Sequence, residues 1–280
     1  MQIVNTISQL QNILLQSKNE GKKVGLVPTM GALHDGHASL VRRSVTDNDV
    51  TVVSIFLNPT QFNDPKDLER YPRTLDCDCK ILAQCGAQIA FAPDVAEMYP
   101  TPDTRSFSYP PTDTVMEGAR RPGHFNGVCQ IVSKLFQIVN PDRAYFGEKD
   151  FQQIAVIRRM VADLGFSVDI VPCPVVREES GLAMSSRNTL LSADEKAIAP
   201  NIFRILKESK TLGMSLKDTE SWVVSQINAI DGLDVEYYSI VDGKTLAELQ
   251  EWTDSDDIVG CITVYCGKTP IRLIDHIRYK

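Results

Sequence analysis

His34 and His37 lie three residues apart in the stretch Pro28-Thr-Met-Gly-Ala-Leu-His-Asp-Gly-His37, after a β-branched run and before a helical pattern. Imidazoles at this spacing can donate hydrogen bonds to phosphate oxygens and offset the charge that builds on a departing pyrophosphate. Gly31 and Gly36 let the backbone bend and come close to a ligand. A helix starting near His37 would also offer N–H groups and the positive end of its dipole to an anion. Taken alone, an HxxH pair reads better as a helix cap plus a satisfied surface histidine. As a zinc pair it lacks the HExxH pattern, and only His124 and His276 remain in the chain to complete a metal site. The strand–loop–helix setting with its glycines favours phosphate.

Four further segments could add to this chemistry. In Ser54–Phe62 a strand ends at Asn58-Pro59, and Gln61 then presents an amide that can both donate and accept at the same sheet edge as His34. A neutral amide suits a polar substrate whose hydroxyl and carboxylate must be fixed without added charge. In Glu117–Gly127, Arg120 and Arg121 precede Pro122 in a Gly-rich bend, which fits an anion contact and a solvated turn equally well. Tyr145–Gln153 places Lys149 at another helix start, with Asp150 as the expected N-cap and Gln153 one turn on, facing the pocket. Finally, Val176–Asn188 offers Ser185, Ser186 and Arg187 in sequence, two hydroxyls and a guanidinium fit to clamp phosphate. No GxSxG elbow makes either serine a nucleophile. GxGxxG is absent too, and Gly260–Thr269 has six residues between its glycines where a phosphate loop needs four.

The elements that must position these residues follow from periodicity. Lys23–Val27, Val50–Phe56 and Gln88–Phe91 read as strands, alternating with helices over His37–Thr46 and Leu75–Cys85. Five prolines between Pro93 and Thr114 predict an extended connection. Asn126–Val139 then carries Val128, Ile131, Val132, Leu135, Phe136 and Val139 on one helix face. Strand Arg143–Phe146, helix Gln152–Leu164 and strand Ser167–Val171 resume the alternation. Beyond Arg187 the pattern becomes two helices, 192–210 and 215–228, followed by strands Val235–Val241, Ile258–Tyr265 and Ile271–Ile277. The expected fold is therefore α/β: a Rossmann-like parallel sheet with helices on both faces over residues 1–176, and a smaller C-terminal α+β domain over 177–280.

Composition narrows the partners. The 280 residues carry a formal charge of −7, and 43% are hydrophobic, a globular composition that excludes disorder. Net acidity argues against nucleic acid or an anionic membrane as the main partner. The first residues lack the positive start of a signal peptide, and no apolar run approaches a membrane span. Seven scattered cysteines without CxxC spacing read as reduced thiols in a cytoplasmic protein.

PTMGALHDGH, SIFLNPTQF, RPGHFNGV, FGEKDFQQ and REESGLAMSSRN, in this order and spacing, resemble the pantoate–β-alanine ligases (pantothenate synthetases) of the HxGH nucleotidyltransferase-like superfamily. The likeness runs over roughly residues 23–190 in five separated blocks. It implies that the carboxylate of (R)-pantoate attacks the α-phosphate of ATP to give pantoyl adenylate and pyrophosphate, after which β-alanine displaces AMP to give pantothenate. By the same resemblance Met30, Gly31, Ala32, Leu33, His34, Asp35, Gly36 and His37 hold ATP, with His37 as proton donor and His34 on the phosphates. Gly147, Glu148, Lys149, Asp150 and Val176 contact the nucleotide, and Met184, Ser185, Ser186 and Arg187 close over its phosphates. Gln61 and Gln153 bind pantoate, Gln61 also lying near β-alanine; His37, His34 and Lys149 carry the catalytic roles. Mg2+ bridges the triphosphate, the C-terminal domain is a lid, and the assembly is a homodimer. Two competing readings are another HxGH nucleotidyltransferase acting on a phosphorylated acceptor, and a nucleotide-binding scaffold without turnover. The first needs a second phosphate site where this chain has neutral glutamines, and the second has no support while every motif residue is intact.

Overall fold

A computed structural model of the chain describes residues 1–62 and 65–280. Along the chain come β1 (Gln2–Val4), α1 (Ile7–Asn19), β2 (Val24–Thr29), α2 (Asp35–Asp47), β3 (Val50–Ile55), α3 (Pro65–Arg70) and α4 (Leu75–Gln84). Then follow β4 (Ile89–Phe91), α5 (Val95–Met98), α6 (Met116–Arg120), α7 (His124–Val139), β5 (Arg143–Gly147), α8 (Phe151–Leu164) and β6 (Asp169–Cys173). The C-terminal part adds α9 (Ala193–Ile198), α10 (Asn201–Ser209), α11 (Leu216–Asn228), β7 (Leu233–Asp242), β8 (Ile258–Cys266) and β9 (Ile271–Arg278). Residues 1–109, 121–148 and 156–174 form one compact unit, and residues 110–120, 149–155 and 175–280 form a second.

The first unit holds a six-stranded parallel sheet in the order β1-β4-β3-β2-β5-β6. β2 and β3 are buried along nearly their whole length, as expected for apolar strands covered on both faces of a parallel sheet. From β2 the chain steps one way to β3 and β4, while β5 pairs on its other side through Gly25 with Arg143 and Leu26 with Ala144. The order thus reverses at β2, so the carboxyl end of β2 is the switch point where open α/β sheets receive ligands. The predicted apolar face of α7 is buried throughout. Its Gly127 is required by close approach, because a Cβ there would lie 2.4 Å from the Thr60 carbonyl oxygen.

In the second unit β7, β8 and β9 form an antiparallel sheet with the predicted order of elements. Ile258, Ile262, Val264 and Cys266 of β8 face a core with Ile202, Ile205, Leu206, Val223 and Ile227 of α10 and α11. The alternate residues Val259 and Cys261 pack with Met116, Phe151 and Ala155. The single helix expected over 192–210 is two, α9 and α10, because Pro200 lacks the N–H that would continue the first and instead opens the second. The connection over Pro93–Thr114 contains one short helix, α5, capped by the Asp94 side chain.

His276, on the same face of β9 as Arg272, has its ring 5.3 Å from that of Phe151, and its Nδ1 has no hydrogen-bond partner among the described residues. Burial pushes this imidazole down to about 4; Asp275 and Asp150 oppose the shift, Arg177 and Arg278 reinforce it. An ordinary histidine in the unfolded chain titrates near 6.5, so between pH 6.5 and 4 the unfolded state binds more protons and stability rises with pH. Acidification across that window is expected to remove roughly 3 kcal/mol, and His276→Phe to flatten the slope there. Urea unfolding at pH 7, 6, 5 and 4 reads this directly, and equal slopes for both proteins would remove His276 as the cause.

Candidate active site

β2 delivers the histidine loop. Thr29 Oγ1 donates to the Ser54 carbonyl at 2.7 Å and accepts from the Gly31 N–H at 3.2 Å, which ties the start of the loop to β3. Gly31 and Ala32 then adopt left-handed φ values of +81° and +51°. The turn leads to His34, the N-cap of α2, whose helix begins at Asp35 rather than near His37.

Of the two roles that the sequence offered to His34 and His37, the structure shows the helix cap, and both rings take part in it. His34 Nδ1 accepts from the Gly36 N–H at 3.1 Å, and His37 Nδ1 accepts from the His34 N–H at 3.4 Å, a reciprocal capping box built from two imidazoles. A ring nitrogen that accepts carries no proton, so each neutral ring is the Nε2–H tautomer and a donor at its outer nitrogen. The ring centroids are 4.1 Å apart with planes tilted by 40°. The backbone expectation needs correction. The amides of Gly31, Ala32, Leu33, His34 and Gly36 all donate inside the protein, so these five do not form an open nest of N–H groups.

Gln61 belongs to the same unit and is held by residues whose importance the sequence did not reveal. Its Oε1 accepts from Asn58 Nδ2 at 3.2 Å, and its Nε2 lies 3.0 Å from the Met30 sulfur. Asn58, only 1% exposed, also donates to the Gly127 carbonyl and accepts from Tyr99 Oη at 2.8 Å. Burial pushes the Tyr99 phenol up, which keeps it a donor. His124 Nδ1 meets the Gln61 carbonyl at 2.9 Å, while its Nε2 is 3.2 Å from Arg121 Nη1. Asn58, read from sequence as a turn residue alone, therefore orients the Gln61 amide. Arg121 contacts the histidine that fixes the Gln61 backbone, and Arg120 is exposed.

Gly147 and Glu148 end one segment of the first unit at the carboxyl end of β5, and Lys149, Asp150 and Gln153 belong to the second unit. A 3-10 turn over Glu148–Asp150 runs straight into α8, so helical geometry begins before the expected cap. Asp150 closes that turn, with its carboxylate 3.8 Å from the Lys149 ammonium. Gln153 is half-buried, and its neighbour Gln152 is buried, donating to the carbonyls of Thr112 and Val115 at 2.8 Å.

Val176 and Met184 are joined by a 3.0 Å backbone bond beside the Arg177–Ala183 bridge, a tight hairpin in the second unit. Arg177 anchors it with a bidentate pair to Asp275 at 2.6 and 2.9 Å, its guanidinium 3.3 Å from the centre of the Phe203 ring. Ser185 caps the following 3-10 turn, accepting from the Arg187 N–H at 3.2 Å, and Asn188 ties the turn to Glu178 and the Ala183 carbonyl. Ser185, Ser186 and Arg187 thus belong to a braced turn.

Fold and loop together define a class: an open parallel α/β protein whose switch-point strand leads into a histidine-capped helix start, the position where such folds take anions. The profile of the pantoate–β-alanine ligase family matches residues 2–278. Among curated relatives, the pantothenate synthetase of Bacteroides thetaiotaomicron is 61% identical over 282 residues, covering 100% of this chain and 99% of the relative. That of Porphyromonas gingivalis is 55% identical with full coverage of both. The crystal structure of pantothenate synthetase from Thermus thermophilus superposes with a TM-score of 0.93 at 41% identity, over 100% of this chain and 99% of that one. Pantoate–β-alanine ligase from Francisella tularensis, solved with β,γ-ATP and β-alanine, gives 0.82 at 35% identity, over 100% and 98%. The chain belongs to the pantoate–β-alanine ligase family.

Proposed function

We propose the following division of labour in this chain, an enzyme that ligates (R)-pantoate and β-alanine to pantothenate with ATP as co-substrate. The pantoate carboxylate attacks the α-phosphorus, forming an acyl–O–P bond as the bond to pyrophosphate breaks. The β-alanine amine then attacks the acyl carbon, forming the amide, losing a proton and expelling AMP. The observation that carries this reading is the imidazole capping box, in which Nδ1 of His34 and of His37 each accepts a backbone N–H, leaving Nε2 as the ring nitrogen that donates at the start of α2. Such donors stabilise the charge developing on pyrophosphate without a proton transfer, since the attacking carboxylate needs no base.

Gln61 and Gln153 take pantoate, with Gln61 also beside β-alanine; their neutral amides can bond hydroxyl and carboxylate together. Lys149 supplies a point charge for phosphate, and Ser185, Ser186 and Arg187 supply hydroxyls and a fork-shaped guanidinium. Met30–His37, Gly147–Asp150, Val176 and Met184 complete the nucleotide contacts. Among the described residues no group of three or more His, Cys, Asp or Glu gathers around a point. A Mg2+ ion held through the triphosphate would neutralise charge on the leaving group. A cytoplasmic location suits seven free thiols, and a homodimer completes the proposal.

Purified protein with ATP and Mg2+ should catalyse pyrophosphate–ATP exchange only when pantoate is present, and release AMP only when β-alanine is added. Pyrophosphate release with a phosphorylated acceptor but not with pantoate would overturn the reading.

A further inference from the structure

The turn that precedes the capping box is strained. Gly31 at φ +81° is ordinary, but Ala32 at φ +51° is a left-handed residue with a side chain, a conformation that survives only where its surroundings enforce it. The enforcing group is Asp78 of α4, which is 1% exposed. Its Oδ2 accepts from the Ala32 N–H at 3.1 Å and its Oδ1 from the Leu33 N–H at 2.8 Å. Thr74 Oγ1 donates a third hydrogen bond to Oδ1 at 3.1 Å, and the first turn of α4 supplies a favourable dipole for the charge. A Cβ on Gly31 would lie 3.1 Å from Oδ2 and 3.2 Å from Ile55 Cγ2, so the loop rests directly on this carboxylate.

A buried negative charge beneath a loop that receives phosphate works against anion binding by Coulomb attraction alone. Its contribution must therefore be geometric. We propose that Asp78 is the positioning residue of the nucleotide loop, an anionic latch that holds the Ala32–Leu33 turn in its left-handed form and so sets where the His34–His37 cap begins. The proposal rests on the reading of that cap as the phosphate site. Asp78→Asn keeps the size of the side chain but turns one acceptor into a donor facing an N–H. The turn then relaxes, and both imidazoles lose their register with the triphosphate.

The test is steady-state kinetics on the full chain, with ATP and pantoate varied separately, beside a thermal melt. Asp78→Asn should raise KM for ATP on the order of ten- to a hundredfold while leaving KM for pantoate within about threefold. Thr74→Val removes the third hydrogen bond but not the latch, so it should lower the melting temperature and leave KM for ATP within about twofold. Gly31→Ala, which pushes on Oδ2 and strains the φ of +81°, should reproduce the ATP effect and decides the matter if Asp78→Asn does not fold. An unchanged KM for ATP in a folded Asp78→Asn, or in Gly31→Ala when Asp78→Asn is unfolded, overturns the latch, as does an equal rise for both substrates. Absence of pantoate-dependent exchange in the unmodified chain instead overturns the underlying reading, so the two failures are distinct.

Discussion

Replacing His37 with glutamine will preserve most of the ligase activity, whereas replacing it with alanine will lower kcat by about a hundred- to a thousandfold, the usual cost of losing one transition-state donor. The contrast follows from what the His37 ring does with its two nitrogens. Nδ1 accepts from the His34 N–H at 3.4 Å, closing the capping box, and the tautomer this enforces makes Nε2 a donor. Glutamine is the ordinary residue at this box position: its carboxamide oxygen can take the His34 N–H while its NH2 donates outward. Alanine supplies neither. An imidazolium, the form a proton donor must take, would put a proton on Nδ1 against the His34 N–H and break the cap. Acid catalysis by His37 therefore conflicts with the fold of its own loop. Steady-state kcat for both variants and a pH profile of each will tell the two roles apart. Equal inactivity of the two, together with loss in the glutamine variant of a pH limb seen in the unmodified enzyme, would restore the acid.

What could be read from the sequence was what neighbours along the chain determine. The buried runs of β2, β3 and β8 and the apolar face of α7 are properties of short windows, and each appears where the sequence pattern puts it. The three-residue edge strand β1 escaped because two of its residues are exposed and no pattern can form. The five-residue α6 is likewise too short for a helical period to register. Among candidate site residues, the histidines and Lys149 were visible because glycines and an adjacent helix start frame them. Asp78, Asn58 and His124 were not, because their partners are distant: the latch joins positions 45 and 46 residues apart, Asn58 reaches Gly127 across 69, and His124 reaches Gln61 across 63. Only the fold says which buried polar residue meets which loop. For Asp78 the one available signal was a carboxylate one helical turn from Ile81 and Leu82, and that does not name a partner.

The same separation hides the interaction with the second large expected effect, which spans 155 residues. Arg272 of β9 holds both oxygens of Glu117 at 2.6 Å and also pairs with Glu236 at 2.6 Å. Tyr237 and Thr263 each donate to Glu117 at 2.8 Å. Glu117 is only 8% exposed, and burial alone would raise its carboxyl; the Arg272 guanidinium and the two hydroxyls outweigh that and hold it at about 2. The Glu117 N–H in turn donates to Gln152 at 2.9 Å, the residue before Gln153, so the network braces the turn that carries a proposed pantoate ligand.

Arg272→Leu leaves two carboxylates, Glu117 and Glu236, facing each other without their cation. The expected loss is about 3–5 kcal/mol at pH 7, the cost of a broken buried pair. The pH dependence gives the sign. In the unmodified protein the folded pKa of Glu117 is depressed from 4.5 to about 2, so its contribution is present above pH 4.5 and fades as pH falls toward 2. In Arg272→Leu the same carboxyl, buried beside Glu236, titrates above its unfolded value, so that site is relieved rather than weakened by acid. The gap between the two proteins should therefore narrow steadily from pH 7 to pH 4. Adding Glu117→Leu to Arg272→Leu removes the stranded charge and should recover part of the loss, since apolar replacement of a whole buried pair is often neutral. Urea unfolding of the three proteins at pH 7 and pH 4 measures each term. A single variant within about 1 kcal/mol of the unmodified protein at pH 7, or a gap that widens in acid, would mean that the ion pair neither bears on stability nor holds Glu117 charged.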